Sequence, residues 1–313
     1  MYFLHPTPTP TPPAPPAFRT AAVIANPIAG KGRGRASAER LAAGLRQTGI
    51  DTELLMTGSR GDASRMAAER SGHVDLVVSV GGDGTLNEVL SGIADGTAGP
   101  SRTAIAQLPF GTANVLATEL RLPNRVDRAV EVIRNGRTTL LDTAEVNGRL
   151  SFLCVGIGID GYAVREVEKR RTGAISKLFY VEAMARVLRH YKAPQLQLEV
   201  DGEVIDGDFG FVLISNVRGY GAVFRLSEDC QHADERVEVY ALRRGTPVEL
   251  LRMAANGVVG LLPGRAAHYW QAERVRVTGA TSARVPYQVD GDFGGVGDVD
   301  YRVSDFQARI VVP

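Results

Sequence analysis

From Ala21 to about Asp142 the chain alternates short apolar runs with segments whose apolar residues recur every three or four positions. That alternation predicts a parallel sheet joined by crossover helices. The runs at 21–25, 52–56, 74–80 and 103–108 read as strands; 37–48, 62–71, 85–94, 113–119 and 126–135 read as helices. Each predicted strand ends in a polar or glycine-rich turn: Asn26-Pro27, Thr57-Gly58, Gly81-Gly82-Asp83-Gly84 and Pro109-Phe110-Gly111-Thr112. Ligands of open parallel sheets bind beyond the carboxyl ends of the strands, so these four turns are expected on one edge.

After Asp142 the period shortens. Runs at 141–146, 151–156, 196–200, 209–216, 236–242, 274–278, 284–289 and 308–312 read as strands, and several of them alternate apolar and polar positions, the signature of an antiparallel sandwich, with one helical insertion at 175–191. The N-terminus reads MYFLHPTPTPTPPAPPAF, where proline at nearly every second position forbids helix and ladder hydrogen bonds. The expected organisation is a disordered tail (1–18), a Rossmann-like nucleotide-binding α/β domain (19–142) and a β-sandwich domain (143–313), with the active site in the cleft between them.

Composition narrows the chemistry. With 313 residues, 36 Lys and Arg against 35 Asp and Glu, and a net charge of +1, the chain lacks the cationic surplus of a dedicated nucleic-acid binder. Cys154 and Cys230 are the only cysteines, too few for a disulfide framework or a thiolate zinc site, and a reducing cytoplasm is the expected compartment. No run approaches the ~18 apolar residues a spanning helix needs, and no basic segment leads into an apolar one at the N-terminus. The five histidines show no metal-binding spacing, and no Gly-x-Ser-x-Gly elbow occurs.

The strongest local signal spans Val77 to Val89: a buried strand, the turn Gly81-Gly82-Asp83-Gly84, then Thr85, Leu86, Asn87 and a helix. Glycines let backbone approach a ligand closely, and amides at a helix start attract an anion, so the turn suits a polyphosphate. A carboxylate there is repulsive unless it holds Mg²⁺ or takes a proton, and both roles belong to phosphoryl transfer. The plain structural alternative makes Asp83 a helix N-cap. Two further turns offer similar groups. Asn26-Pro27-Ile28-Ala29-Gly30-Lys31 lacks the ending of a Walker P-loop, and Gly111-Thr112-Ala113-Asn114 places a hydroxyl and an amide at another helix start.

Gly156-Ile157-Gly158-Ile159-Asp160-Gly161 fits the dinucleotide fingerprint literally, but a charged stretch follows it and no ribose-binding acid comes next. Near the other end, Asp290-Gly291-Asp292 reads as a type I′ hairpin; facing Asp83 across a cleft, Asp292 could serve as the base for an acceptor hydroxyl.

In this order the motifs resemble the diacylglycerol kinase catalytic family, which includes bacterial lipid kinases and is related to sphingosine and ceramide kinases. The resemblance runs from Ala21 to Pro313. The Gly-Gly-Asp-Gly core is shared with NAD kinases and phosphofructokinases; Asn26-Pro27, Gly111 to Asn114 and Asp290-Gly291-Asp292 favour the lipid branch. The resemblance implies ATP contacts from Asn26, Pro27, Ile28, Ala29, Gly30, Thr57, Gly81, Gly82, Asp83, Gly84, Thr85, Leu86, Asn87, Thr112 and Asn114. It further implies Mg²⁺, a lipid substrate taken at a membrane surface and catalytic roles for Asp83 and Asp292. Three departures stand out. Aspartate replaces the family's glutamate at Asp292, Asp234-Glu235 replaces an Asp-Gly pair in a metal-binding loop, and Val115 follows Asn114 where many relatives carry Asp. An NAD kinase-like enzyme and a catalytically weakened nucleotide-binding regulator are the alternatives. Residues 177–192 read as a basic amphipathic helix, either packed on the sandwich or lying on a membrane, and exposed sheet edges leave room for a homodimer.

Overall fold

The computed structural model describes residues 16–313 except 96, 171–176, 221–223, 227–229, 259–266 and 280–283. Residues 1–15, most of the proline-rich tail, lie outside the described residues. The tail was expected to run to residue 18, but Phe18 is buried and joins the first core, and Ala17 N donates to Arg134 O at 3.4 Å.

In the first half the strands are β1 (Thr20–Ala25), β2 (Asp51–Met56), β3 (Leu76–Gly81) and β4 (Gly99–Pro109). The helices are α1 (Ala29–Gly32), α2 (Gly34–Gln47), α3 (Asp62–Arg70), α4 (Asp83–Ala94), α5 (Val115–Glu119) and α6 (Val126–Asn135). The strands pair in parallel in the order β2-β1-β3-β4. Every residue of β3 is buried, because α2 and α6 cover one face of the sheet while α3 and α4 cover the other. A strand covered on both faces must be apolar throughout, which is why this region reads as continuous runs rather than alternation.

The second half contains β5 (Thr138–Val146), β6 (Arg149–Ser151), β7 (Cys154–Ile157), α7 (Ile159–Arg170), α8 (Lys177–His190), β8 (Leu196–Val200), β9 (Glu203–Phe209), β10 (Phe211–Ser215), β11 (Gly219–Tyr220), β12 (Phe224–Arg225), β13 (Val237–Leu242), α9 (Pro247–Val258), β14 (His268–Ala272), β15 (Arg274–Gly279), β16 (Pro286–Val289), β17 (Asp292–Val296) and β18 (Val299–Val311). A six-stranded antiparallel sheet, β14-β13-β10-β7-β16-β17, packs against β5, β15, β8 and β18 around a core that includes Val155, Val212, Val239, Val277 and Tyr301. Its other face carries α7, α8 and α9 over a smaller cluster centred on Tyr240, Phe211 and Leu213.

β18 belongs to both halves. Arg274–Val277 pair with its first residues antiparallel, while Phe306–Ile310 run parallel to β4. The parallel sheet therefore continues through β18 into the sandwich, and both halves share backbone hydrogen bonds rather than side-chain contacts alone.

Sequence periodicity located most of these elements and missed several. The charged stretch after Gly161 is the helix α7; its acids and bases from Arg165 onward are exposed or half-exposed while Ile159, Asp160, Ala163, Val164 and Val167 are buried. The run read as one strand at 151–156 is broken into β6 and β7. β9, β14, β17 and α9 were not anticipated, and β18 begins nine residues before the predicted 308. The basic amphipathic helix read at 177–192 is α8. Met184 and Leu188 pack with Val187 on the Tyr240 cluster, whereas Ala185 is exposed; the side chains of Leu178 and Val181 lie outside the described residues. No helix of the described residues is long and apolar enough to cross a membrane.

Candidate active site

Sheet order changes direction between β1 and β3, the point at which a doubly wound sheet leaves a crevice for ligands. The turns after β1 and β3 flank it. Asn26 N donates to Val80 O at 3.0 Å, Thr57 N to Ala25 O at 2.9 Å and Phe110 N to Gly81 O at 2.8 Å, so all four predicted turns close onto one edge. Two glycine contacts bring them into van der Waals touch. A Cβ on Gly82 would lie 2.9 Å from Gly111 Cα, and one on Gly111 would lie 2.6 Å from Gly82 Cα; a Cβ on Gly30 would meet Phe110 at 2.6 Å. Glycine is required here because backbone packs on backbone. Gly30 and Lys31 both take φ of +61°, curling the first turn so that Lys31 projects outward. Asn26 Oδ1 accepts from Ile28 N at 3.1 Å, and Asn114 bridges both the N–H and the carbonyl of Gly111.

Asp83 occupies the first position of α4, and the preceding Gly82 stands at the N-cap with no side-chain cap. Asp83 therefore does not cap its own helix. Its Oδ2 accepts from Val115 N at 3.0 Å and so caps α5 instead, tying the Gly-Gly-Asp-Gly turn to the Gly-Thr-Ala-Asn turn. Its Oδ1 is buried with no hydrogen-bond partner. Burial raises the carboxyl above the ordinary aspartate range, the Val115 amide opposes that, and the negative field of Asp290 adds to it. Leu86 is wholly buried, leaving its backbone as its contribution to the edge. Thr85 packs beneath Gly81, and Gly84 and Ile28 face solvent.

The opposite wall of the cleft is the hairpin between β16 and β17. Asp290 and Gly291 take φ of +52° and +86°, the geometry of a type I′ turn. Asp290 is clamped by five donors: Ser151 Oγ at 2.8 Å, the amides of Phe152, Leu153 and Cys154 at 2.9–3.1 Å, and Asn87 Nδ2 at 2.9 Å. Asn87 lies on α4 one turn from Asp83, so this carboxylate pins the sandwich to α4. Burial pushes its pKa up and the donors pull against it. With every lone pair engaged, Asp290 is an anchor. Asp292, two residues on, is half-exposed, and its Oδ2 pairs with Arg60 Nη2 at 3.4 Å across the cleft from the turn after β2.

The buried Oδ1 of Asp83, which has no hydrogen-bond partner, fits the role of one oxygen ligand to a Mg²⁺ ion. Asp234 does not fit a metal equally well. Its Oδ1 accepts from Arg236 N at 3.2 Å, and no group of three His, Cys, Asp or Glu side chains gathers to hold an ion at either aspartate among the described residues. Glu235 nevertheless keeps the left-handed backbone (φ +61°) that glycine favours, and its amide donates to buried Asp142 at 2.7 Å.

Residues 20–146 match the model of the diacylglycerol kinase catalytic domain, and residues 153–311 match that of the YegS C-terminal NAD kinase beta sandwich-like domain. The chain belongs to the diacylglycerol kinase family. A diacylglycerol kinase of Bacillus subtilis (strain 168) is 25% identical over 281 residues, covering 89% of this chain and 91% of that protein. One of Staphylococcus aureus (strain bovine RF122) is 27% identical over 286 residues, covering 88% and 87%. A crystal structure of a diacylglycerol kinase from Bacillus anthracis (strain Sterne) superposes with a TM-score of 0.70 at 18% identity, covering 95% of this chain and 98% of that one, and shares its fold.

In this family member three residues escaped sequence reasoning. Arg60 sits in a turn with no motif, and its role depends on a hairpin 232 residues away. Asp290 was read only as a turn former. Asp160, inside the apparent dinucleotide fingerprint, is buried at the start of α7, accepts from the Tyr220 hydroxyl and is pushed by burial to about 7, with Gln288 pulling the other way. The fingerprint glycines have packing roles instead. A Cβ on Gly161 would lie 2.1 Å from Pro286 O, and one on Gly156 would lie 2.2 Å from Asp160 Oδ2; Gly158 takes φ of +102°. They let α7 lie directly on β7 and β16.

Proposed function

We propose that the protein transfers the γ-phosphoryl group of ATP, with Mg²⁺, to the hydroxyl of a lipid, diacylglycerol-like or sphingoid in class. The observation that carries this reading is the meeting of four turns at the sheet's switch point, with a buried Asp83 oxygen that no protein group satisfies. The amides of the turns after β1, β3 and β4 would bind the phosphates, Asn26 and Thr57 holding the first two turns in register. Asp83 would hold Mg²⁺, which when bound neutralises charge on the phosphate oxygens.

Asp292 would take the proton as the acceptor oxygen bonds to the γ-phosphorus, while the bond from that phosphorus to the bridging oxygen breaks and ADP leaves. Arg60, already beside Asp292, orients that carboxylate over the cleft. Asp290 holds the tip still, so the base and the phosphate site keep a fixed relation, the main source of rate in such positioning chemistry. Incubation with labelled ATP, Mg²⁺ and a panel of diacylglycerol, sphingoid base, phosphatidylglycerol and NAD tests this. Label on a lipid hydroxyl is expected; label on NAD, or nucleotide binding with no transfer to any acceptor, contradicts it.

A further inference from the structure

Helix α9 lies on the outer face of the six-stranded sheet. Its inner side is anchored by buried Met253 and by Leu250, both on the cluster around Tyr240. An amphipathic helix that packed all its apolar residues would end there, but this one carries a second apolar line. Val248, Leu251 and Val258 are 75%, 63% and 58% exposed, half of the large hydrophobics that stand exposed among the described residues. With exposed Ala255 they fall at i, i+3, i+7 and i+10, one stripe along the solvent side.

The exposed charges on and just before the helix are cationic, while exposed Asp206 and Asp208 lie by Arg243 on the neighbouring strand β9. Arg252 is exposed next to Leu251, and Arg243 and Arg244 are exposed where the chain enters the helix. The helix's one acid, Glu249, is half-buried and turned back to accept from Arg244 N at 3.2 Å. An apolar line flanked by cations matches an anionic bilayer surface, where side chains enter the headgroup boundary and arginines meet phosphate. It matches a second copy of the chain poorly. A two-fold contact along α9 would set Arg252 near its symmetry mate, and a 12-residue helix face is small beside the ~800 Å² per partner of a stable dimer. In α8, the basic helix of the sequence, the apolar side chains Met184, Val187 and Leu188 pack inward. The inner face of α9 also shares its cluster with Ile159 and Tyr220, the neighbours of buried Asp160.

We propose that α9 is the element that docks the protein on an anionic membrane, with Val248, Leu251 and Val258 entering the headgroup layer and Arg244 and Arg252 contacting anionic headgroups. This rests on the reading that the acceptor resides in a bilayer. The test is co-sedimentation of the full chain with vesicles of phosphatidylglycerol and phosphatidylcholine (1:1) and of phosphatidylcholine alone, beside Val248→Asp/Leu251→Asp and Arg244→Gln/Arg252→Gln. Both doubles change exposed side chains, and an unchanged melting temperature verifies their fold.

Wild type is expected on the anionic vesicles only, and each double should bind at least about tenfold more weakly. Val248→Asp/Leu251→Asp should still phosphorylate a short-chain diacylglycerol dissolved as monomer while losing activity on vesicles. Wild type failing to sediment, or the apolar double sedimenting as wild type, overturns the proposal. So does light scattering that shows a dimer broken by that double with vesicle binding intact. Vesicle binding without any transfer, even to the soluble acceptor, would sink the kinase reading and leave the docking role standing.

Discussion

Among single residues, Asp83 and Asp160 are aspartates whose surroundings could not be read from their neighbours in sequence. Asp83 was visible because three glycines surround it; its service as the cap of α5 was not, since Val115 lies 32 positions away. Asp160 looked like part of a nucleotide motif and is instead a buried acid raised to about 7 from an ordinary 3.8. Between those two values the folded chain holds a proton that the unfolded chain releases. Asp160 therefore favours folding below the lower value, and that contribution is lost as pH rises through the upper one. In urea titrations across this window, Asp160→Asn should remove a fall in stability of at most about 4 kcal/mol relative to wild type. Parallel pH profiles for the two proteins would show that Asp160 does not carry this proton.

At the level of elements, strands and helices of the α/β half were legible because each is covered on the face its period demands. α6 was predicted with its observed limits, Val126–Asn135. What escaped were elements whose pattern is set by partners distant in sequence. β9 is exposed along most of its length and shows no apolar run, and α7 buries Ile159, Val164 and Val167 together with the acid Asp160 while most of its other charges reach solvent. The turns were legible as glycine-rich; that Gly82 and Gly111 touch was not. Gly82→Ala would force a Cβ to 2.9 Å from Gly111 Cα and spread the two turns apart. Overpacking of this kind costs about 1–3 kcal/mol. Calorimetry should show that loss together with Mg·ATP binding weakened at least about tenfold, as expected when amides aimed at one anion diverge; unchanged binding would place the nucleotide elsewhere.

For the whole molecule, the cleft is built by a strand and a carboxylate that each join the two halves. β18 continues one sheet into the other, and Asp290 ties the hairpin tip to α4 through Asn87. Asp290→Ala would leave Ser151, three amides and Asn87 without their acceptor. Chemical denaturation should register a loss of roughly 3–5 kcal/mol, the scale of a buried network broken on one side. A loss under about 1 kcal/mol would mean that water replaces the carboxylate freely.

The central claim is that Asp83 acts on the terminal phosphate of a nucleotide held by these turns. Comparing wild type and Asp83→Asn for Mg·ATP binding and for phosphoryl transfer to lipid, on preparations of equal melting temperature, tests it most directly. Binding should persist while transfer falls by about a thousandfold or more, the scale of a lost charge-stabilising group. Transfer by the variant at the wild-type rate would contradict the account.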